Sequence, residues 1–400
     1  MVAKWLSVIG IGEDGVPGLA PVARSLLEQA EVVVGGARHL AMLPDDGRDR
    51  LLWSSPIAAS VDAIMQLRGK AVCVLASGDP MCYGVGVTLI RKIPAAEMLI
   101  IPAPSTFSWV CARMGWSITE VETLSLCNRP LALVNAYMYA AAKLVILSED
   151  RHTPGQVALL LTQQGFGPSA ITVLERVGGP HERQIAGTAA TWQETNLADL
   201  NAIAIECKAE TGTIARSRVP GLSDLAYHHD GQLTKREVRA ITLSALAPQP
   251  GERLWDVGAG CGSIAIEWMR SHPRCSAIAI EKARTHYIAD NAIALGTPTL
   301  QICLGEAPAA LADLPQPHAI FIGGGITTPG LVAACWEALP TGGRMVANVV
   351  TVQGEQVLAE WHAQVGGTLS RIAIQRAEAI GSFLGWKPLV PVTQWVAHKS

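Results

Sequence analysis

The sequence predicts an α/β protein of two domains, and three observations carry that expectation. Short apolar runs that read as strands alternate with helical patterns along both halves, as in largely parallel sheets. Several of these runs end in small or turn-forming residues: Gly10, Gly12 and Gly15, then Ser77-Gly78-Asp79-Pro80, then Gly258 to Gly262. Between the halves lies a polar, strand-free stretch, ETGTIARSRVP from Glu210 to Pro220, suited to a hinge. The expected boundaries are residues 1–207 for the first domain, 208–222 for the linker and 223–400 for the second.

Composition narrows the function classes. At 400 residues, with 49% hydrophobic and 16% charged, the chain is long enough for two or three cores and too apolar for disorder. A net charge of -3 and scattered Lys and Arg leave no basic stripe, which argues against nucleic acid or an anionic membrane as partner. The 9 cysteines never form Cys-x-x-Cys. Cys73, Cys207 and Cys303 lie in apolar strand-like runs, so buried thiols are expected, not disulfides or a metal site. The opening MVAKWLSVIGIGEDG reaches Gly, Glu and Asp too soon for a signal peptide. The apolar stretch from Leu131 to Leu147 is broken by Asn135 and Lys143. No membrane span and a cytoplasmic location follow as expectations.

In the first half, WLSVIGIG is a strand running into a glycine loop. Gly10, Gly12 and Gly15 satisfy Gly-x-Gly-x-x-Gly, but Pro17 postpones any helix to about Leu19 and Glu31 precedes the strand VVV where a ribose-binding acid should follow it. A nicotinamide dinucleotide is therefore not expected here. AVCVLASGDPMCYGVG (Ala71 to Gly86) is a strand ending in Ser-Gly-Asp-Pro, although Asp79 alone also reads as a turn-forming Asp-Pro. IIPAPSTFSWVCARMGW (Ile100 to Trp116) is a strand followed by Pro, Ser and Thr, with Thr106 near a helix start. KLVILSEDRHTPGQVALLL (Lys143 to Leu161) is a strand, a polar loop and a Pro-initiated helix. Taken in order with ERVGGPHERQ (Glu175 to Gln184), these pieces resemble the tetrapyrrole (corrin and porphyrin) methyltransferases over most of residues 5–206. The resemblance implies a two-lobed tetrapyrrole methylase (class III) domain with S-adenosylmethionine in the cleft between the lobes. It implies cofactor contacts at Ser77, Gly78, Asp79, Ser105 and Thr106. Ala103 stands where a glycine is usual, and Ser77 where many members carry glycine.

The second half is organised around LWDVGAGCGSIAIEWMRSHPRCSAIAIEK, Leu254 to Lys282. LWDV is a strand ending in an acid, Gly258, Gly260 and Gly262 turn the backbone, Ile264 to Met269 reads as a helix and SAIAI as the second strand. Glu281 closes that strand about twenty residues beyond the turn, where a carboxylate takes ribose hydroxyls. The spacing is Gly-x-Gly-x-Gly, with Ser263 where a dinucleotide fingerprint needs its third glycine. It resembles the class I methyltransferases and implies a Rossmann-like domain in which Gly258, Ala259, Gly260, Cys261 and Gly262 pass under the amino-acid part of S-adenosylmethionine. Glu306 and Ala307 follow the third strand, near where that family places adenine, and Gly323, Gly324 and Gly325 end the fourth on the substrate face. Cys261 replaces the Ser or Thr seen more often, which leaves the backbone role intact. Upstream, Thr234 with Glu237 three residues on forms a capping-box pattern before the apolar set Val238, Ile241 and Leu243. The other reading gives Thr234 to the cofactor and Lys235, Arg236 and Arg239 to an acidic substrate.

Leu-Thr-Lys-Arg-Glu-Val-Arg, Asp-Val-Gly-Ala-Gly-Cys-Gly-Ser, Gly-Glu-Ala-Pro and Phe-Ile-Gly-Gly-Gly together resemble the decarboxylating precorrin methyltransferases of cobalamin synthesis. Both halves together resemble fused members of that family. The resemblance implies Thr234 and Ala307 as cofactor contacts, one S-adenosylmethionine per domain, a tetrapyrrole substrate and self-association into a homo-oligomer. It implies methylation at carbon 5 by the first domain, and methylation at carbon 15 with loss of the ring C acetate carboxyl by the second. A metal-free precorrin is the expected substrate and a cobalt-precorrin the alternative. For the substrate's carboxylates, Lys235, Arg236, Arg239, His228 and His229 are candidates, with Gly323 to Gly325 leaving room for a flat macrocycle. Glu237 and Arg239 are candidate catalytic residues, though capping explains the first and structural pairing the second as well. A nucleic-acid methyltransferase would show a basic surface and Asn/Asp-Pro-Pro-aromatic, and the sequence has neither. A non-catalytic regulator that binds S-adenosylmethionine would need a recognition module, and no segment outside the two halves supplies one.

Overall fold

The computed structural model describes residues 4–214 and 216–400. The chain forms two units, one of residues 1–129 with 140–211 and one of residues 130–139 with 212–400. In the first unit, β1 (Leu6–Ile11), β2 (Val32–Gly35), β3 (Asp49–Leu52), β4 (Val72–Ser77) and β5 (Met98–Ile101) form a parallel sheet in the order β3-β2-β4-β1-β5. Runs such as LSVIGI and VCVLA are apolar at nearly every position because both faces of such a sheet are covered. A second sheet holds β6 (Glu122–Ser125), β7 (Lys143–Leu147), β8 (Ala170–Glu175), β9 (Arg183–Thr188) and β10 (Asn201–Glu206), ordered β6-β7-β10-β8-β9. Only β6 and β7 pair parallel there; the other pairings are antiparallel.

Gly10 lies inside β1, where a Cβ would come within 1.9 Å of the Gly78 carbonyl oxygen and 2.5 Å of the Ala103 nitrogen. Its role is to let the ends of β1, β4 and β5 converge. The first α-helix begins only at Pro21, after a 3-10 turn at Val16–Gly18, so no helix N-terminus follows the early glycines directly.

The second unit carries β11 (Arg253–Val257), β12 (Ser276–Glu281), β13 (Gln301–Leu304), β14 (Ala319–Ile322), β15 (Arg344–Val349), β16 (Thr368–Ile372) and, after a separate hairpin of β17 (Gln375–Ile380) and β18 (Phe383–Pro388), β19 (Val392–His398). Its sheet runs β13-β12-β11-β14-β15-β19-β16, with β19 antiparallel to both neighbours. Along β11, Leu254 faces a core that includes Trp268 and Phe321, while Trp255 and Val257 face one that includes Ile320 and Trp395. That alternation is the two-residue period of a strand covered on both sides. Strand order reverses between β11 and β14, the switch point at which doubly wound sheets bind ligands. Residues 130–139 pack within this unit: Asn135 Nδ2 donates to the Ile293 carbonyl (2.9 Å), and a Cβ on Gly296 would meet the Ala136 nitrogen at 2.2 Å.

Arg239 has a different role from the one the sequence suggested. It sits on the helix Arg236–Leu246 and is fully buried. Its Nε donates to Glu267 (2.5 Å), Nη1 to the Thr234 carbonyl (2.6 Å) and to Asp224 (3.3 Å), and Nη2 to the Leu222 carbonyl. Glu267, 2% exposed, also accepts from the Gly221 and Leu222 amides (2.6 and 3.1 Å) and the Tyr227 hydroxyl (2.9 Å). With four of its five N–H donors bonded inside the protein and no exposed surface, the guanidinium is closed to a substrate, and the expectation of a catalytic or substrate contact at Arg239 is corrected to a structural one. Because removing one member of a buried pair strands the other, Arg239→Ala should lower the unfolding free energy by about 3–5 kcal/mol in denaturant titrations.

Candidate functional site

In the second unit the glycine run leaves β11 at the switch point. Gly258, Gly260 and Gly262 have φ of 70°, 59° and 81°. A Cβ on Gly258 would meet Gly324 at 2.7 Å, whereas one on Gly260 would find only the Gln232 carbonyl at 3.8 Å. Gly258 is therefore needed for backbone packing, and Gly260 presents an open stretch of main chain. Gly323 donates its amide to the Val257 carbonyl (2.9 Å), which holds the Gly323 to Gly325 loop beside the glycine run.

Two buried carboxylates flank this loop. Glu281 Oε2 accepts from the Gly260 amide (2.9 Å), and Oε1 from the Lys282 and Ala283 amides (both 3.1 Å). Asp256 is the penultimate residue of β11, two residues before Gly258. Its Oδ2 accepts from the Ala265 amide (3.0 Å), and its Oδ1 is buried without a partner. Burial pushes the Asp256 carboxyl from 3.8 up to about 7; the Ala265 amide opposes the shift and the Glu281 charge adds to it.

The segment before the helix Arg236–Leu246 crosses the loop through the Gln232 carbonyl. Asn291, fully buried, ties it down by donating to the carbonyls of His228 (2.9 Å) and Cys261 (3.0 Å) and accepting from the His228 amide (2.8 Å). Thr234 precedes the N-cap Lys235, and that cap makes no side-chain hydrogen bond, so the capping box does not form. Lys235 is half-buried, Arg236 is exposed, and neither meets a carboxylate among the described residues. Glu237 is paired with Arg376 (2.6 Å), whose guanidinium holds the carboxyl below its usual range. A proton-transfer role at Glu237 would require breaking that pair, so the geometry favours structure there. Cys261 is buried in the core, and burial raises its thiol to about 11; its carbonyl is what serves the loop. The Gly305 amide bonds the Glu281 carbonyl (3.1 Å), which places Glu306 and Ala307 beside the end of β12. The Glu306 side chain itself lies in an exposed pair with Lys282 (2.9 Å). His228 is exposed, and His229 Nδ1 accepts from the Gly231 amide (2.9 Å).

In the first unit Ser77, Gly78, Asp79, Ser105 and Thr106 all line one cavity of about 440 Å³. Gly78, at φ 55°, donates to the Ile11 carbonyl (3.1 Å) and accepts from the Ala103 amide (3.2 Å). Asp79 Oδ1 accepts from the Met81 amide (2.8 Å), so the turn is formed and its residue still faces the cavity. Ser105 caps the helix Thr106–Met114 by accepting from the Ser108 amide (3.2 Å). Sequence reasoning missed Ser148 and Asn201, which also line the cavity; Ser148 Oγ and Asn201 Oδ1 are buried there without partners. It missed Asn291 as well, a lone polar residue on a helix with no local signal. For Asp256 the signal existed, an acid two residues before the first glycine of the run.

Residues 6–193 match the model of the Tetrapyrrole (Corrin/Porphyrin) Methylases, and residues 225–399 that of the Precorrin methyltransferase domain. A Sinorhizobium sp protein named Precorrin-6Y C(5,15)-methyltransferase (decarboxylating) is 48% identical over 401 residues, covering 99% of this chain and 96% of the relative. The chain belongs to the decarboxylating precorrin-6Y C(5,15)-methyltransferase family. A Mycobacterium tuberculosis protein of the same name is 42% identical over 398 residues, covering 98% of this chain and 99% of the relative. The Cobalt-precorrin-7 C(5)-methyltransferase of Salmonella typhimurium is 29% identical over 178 residues, 44% of this chain and 88% of that one. Family membership puts two methylase-type folds in one chain, an arrangement the two sets of sheets display.

Asp256 gives the second site a pH signature. Its folded pKa lies above its unfolded one, so its contribution to stability is fully present below about pH 4 and lost as pH rises through about 7. Asp256→Asn fixes a neutral side chain. Urea titrations of the ligand-free protein should show the variant gaining stability relative to the parent as pH rises across that window.

Proposed function

We propose that this chain methylates a precorrin at carbons 5 and 15 and removes the ring C acetate carboxyl as carbon dioxide, giving precorrin-8X in cobalamin biosynthesis. The first unit acts at carbon 5, and the second at carbon 15 with the decarboxylation. The observation that carries this reading is the presence of two separately built sites in a chain that aligns end to end with relatives named for both positions. Those relatives are named for precorrin, whereas the cobalt-precorrin enzyme matches only 44% of the chain, which favours the metal-free substrate.

S-adenosylmethionine is the methyl donor of such families, and we assign one molecule to each unit. The residues of the second site fit it: Gly260 offers open main chain, Glu281 lies beside the loop, and Asp256 Oδ1 lacks a partner. A sulfonium donor is cationic and its demethylated product is not, so a carboxylate at Glu281 favours the donor over the product. In the first site, the lining residues Ser148 and Asn201 each carry a buried oxygen without a partner, which a polar ligand would complete. The donor supplies an electrophilic methyl group, and the protein's part is alignment for in-line displacement. In the second unit we assign Thr234, Ala259, Glu306 and Ala307 to the donor, Lys235 and Arg236 to the substrate's carboxylates, and Gly323 to Gly325 to the macrocycle. Shielding the departing carboxylate from water, beside a conjugated ring that accepts its electron pair, promotes the loss of carbon dioxide.

We also place the enzyme in the cytoplasm as a homo-oligomer. No helix among the described residues is long and apolar enough to cross a membrane. The β17–β18 hairpin exposes Ile380, Phe383, Leu384 and Trp386, an apolar group of the kind that self-association covers.

Incubation with reduced precorrin-6 and S-adenosylmethionine, followed by mass spectrometry, should show the gain of two methyl groups and the loss of carbon dioxide. Gly260→Val forces a branched side chain into φ 59° and should slow the carbon 15 step and the decarboxylation about 100-fold, with one methyl group still added at carbon 5. Loss of both methylations in that variant, with the fold intact, would contradict two independent sites.

A further inference from the structure

One buried donor in the first unit has no use within the protein. Arg38 and His39 lie on the short helix Ala37–Leu40 that follows β2. Arg38 Nη1 is paired with Glu13, and its Nη2 lies 2.9 Å from His39 Nε2 and 3.0 Å from Ser77 Oγ. Ser77 Oγ is itself 3.1 Å from His39 Nε2. A guanidinium has donors only, so Nε2 must present its lone pair and the ring proton must sit on Nδ1. That Nδ1 is buried and has no hydrogen-bond partner, and His39 is 7% exposed.

The ring lines the same cavity as Ser77 and Asp79. A Cβ added to Gly36 would lie 4.0 Å from His39 Nδ1 and equally far from Trp53 Cδ1, and Gly36 and Trp53 line that cavity too. The donor is closed off from water beside Gly36 and Trp53, two residues of the cavity wall. Leaving a buried N–H unpaired is costly, so a partner that arrives with a ligand is its natural complement.

We propose that His39, held by Arg38 as the neutral Nδ1–H tautomer, is a ligand-binding residue that donates a hydrogen bond to a carboxylate or carbonyl oxygen in the first unit's cavity. Arg38 is then a positioning residue, and Glu13 orients Arg38. The imidazole is not a proton acceptor in this state, because its only lone pair already faces the guanidinium. Burial, and secondarily the Arg38 charge, lower its pKa from 6.5 to about 4, so it stays neutral at physiological pH. The inference rests on the cavity being the carbon 5 site. Both the tetrapyrrole, with its acetate and propionate groups, and the amino-acid end of the methyl donor carry the required oxygen.

The test uses the full chain and three measurements. Nitrogen NMR of the histidine rings, with His39→Phe to assign the signal, should show Nδ1 protonated and no titration between pH 5 and pH 8, about the physiological range. Calorimetry with S-adenosylhomocysteine and steady-state kinetics of carbon 5 methylation should then show a loss of about tenfold in one ligand. A raised substrate KM with unchanged S-adenosylhomocysteine affinity assigns the oxygen to the macrocycle, and a weakened S-adenosylhomocysteine assigns it to the donor. Because His39→Phe alters the core, Arg38→Met on the exposed neighbour serves as the second variant. It should give the same loss and make the His39 signal titrate at higher pH. Unchanged binding and KM in both variants, or a proton found on Nε2 in the parent, would overturn the proposal. A parent protein that neither binds S-adenosylhomocysteine in this unit nor methylates carbon 5 would overturn the functional reading instead.

Discussion

The second unit depends on the buried carboxylate of Glu267. Four donors converge on it: Arg239 Nε, the Tyr227 hydroxyl and the amides of Gly221 and Leu222. It sits on the helix that the glycine run opens, while its partners belong to the segment and helix that precede β11. The arginine, fixed by that carboxylate, in turn bonds the Thr234 carbonyl. A charge pair in the core thus sets where residues 228–235 cross the glycine loop, and Asn291 completes the same task from the other side. Such a pair adds little net stability over apolar packing, but its directionality fixes a geometry that apolar contacts leave loose.

Both units meet the same steric demand by the same means. Ligand sites at the ends of parallel strands require loops from different strands to approach within backbone contact. In the first unit Gly10 permits this against Gly78 and Ala103; in the second Gly258 permits it against Gly324. These glycines serve the packing of main chain on main chain, whereas Gly260, its amide held by Glu281, leaves open space beside the loop. The resulting sites carry charge differently: the second has two carboxylates beside the loop, whereas the first mixes Asp79 and Arg176 with an Arg38 already paired with Glu13.

What the sequence disclosed follows the range of the interaction. The glycine run and Glu281 meet in the second unit, and the Ser77 to Asp79 and Ser105-Thr106 pieces line one cavity in the first, each a local feature of a strand end. Arg239, Glu237 and Thr234 look alike from spacing, because a basic helix start reads the same whether it faces ligand, solvent or core. The difference lies in partners 28 residues away for Arg239 and 139 residues away for Glu237, which no local pattern encodes. The placement of residues 130–139 in the second unit was illegible for the same reason: it rests on a contact between Ala136 and Gly296. His39 is a case in between, since its tautomer follows from a single neighbour once the fold brings Arg38 and Ser77 to it.

The central claim is that one chain holds two independent donor sites on two unrelated sheets. Titration calorimetry of S-adenosylhomocysteine into the full-length protein tests it most directly. The account predicts two molecules bound per chain, with Glu281→Ala abolishing one and leaving the other unchanged. A single site in the parent protein, or loss of both sites on changing Glu281 alone with the fold preserved, would contradict it.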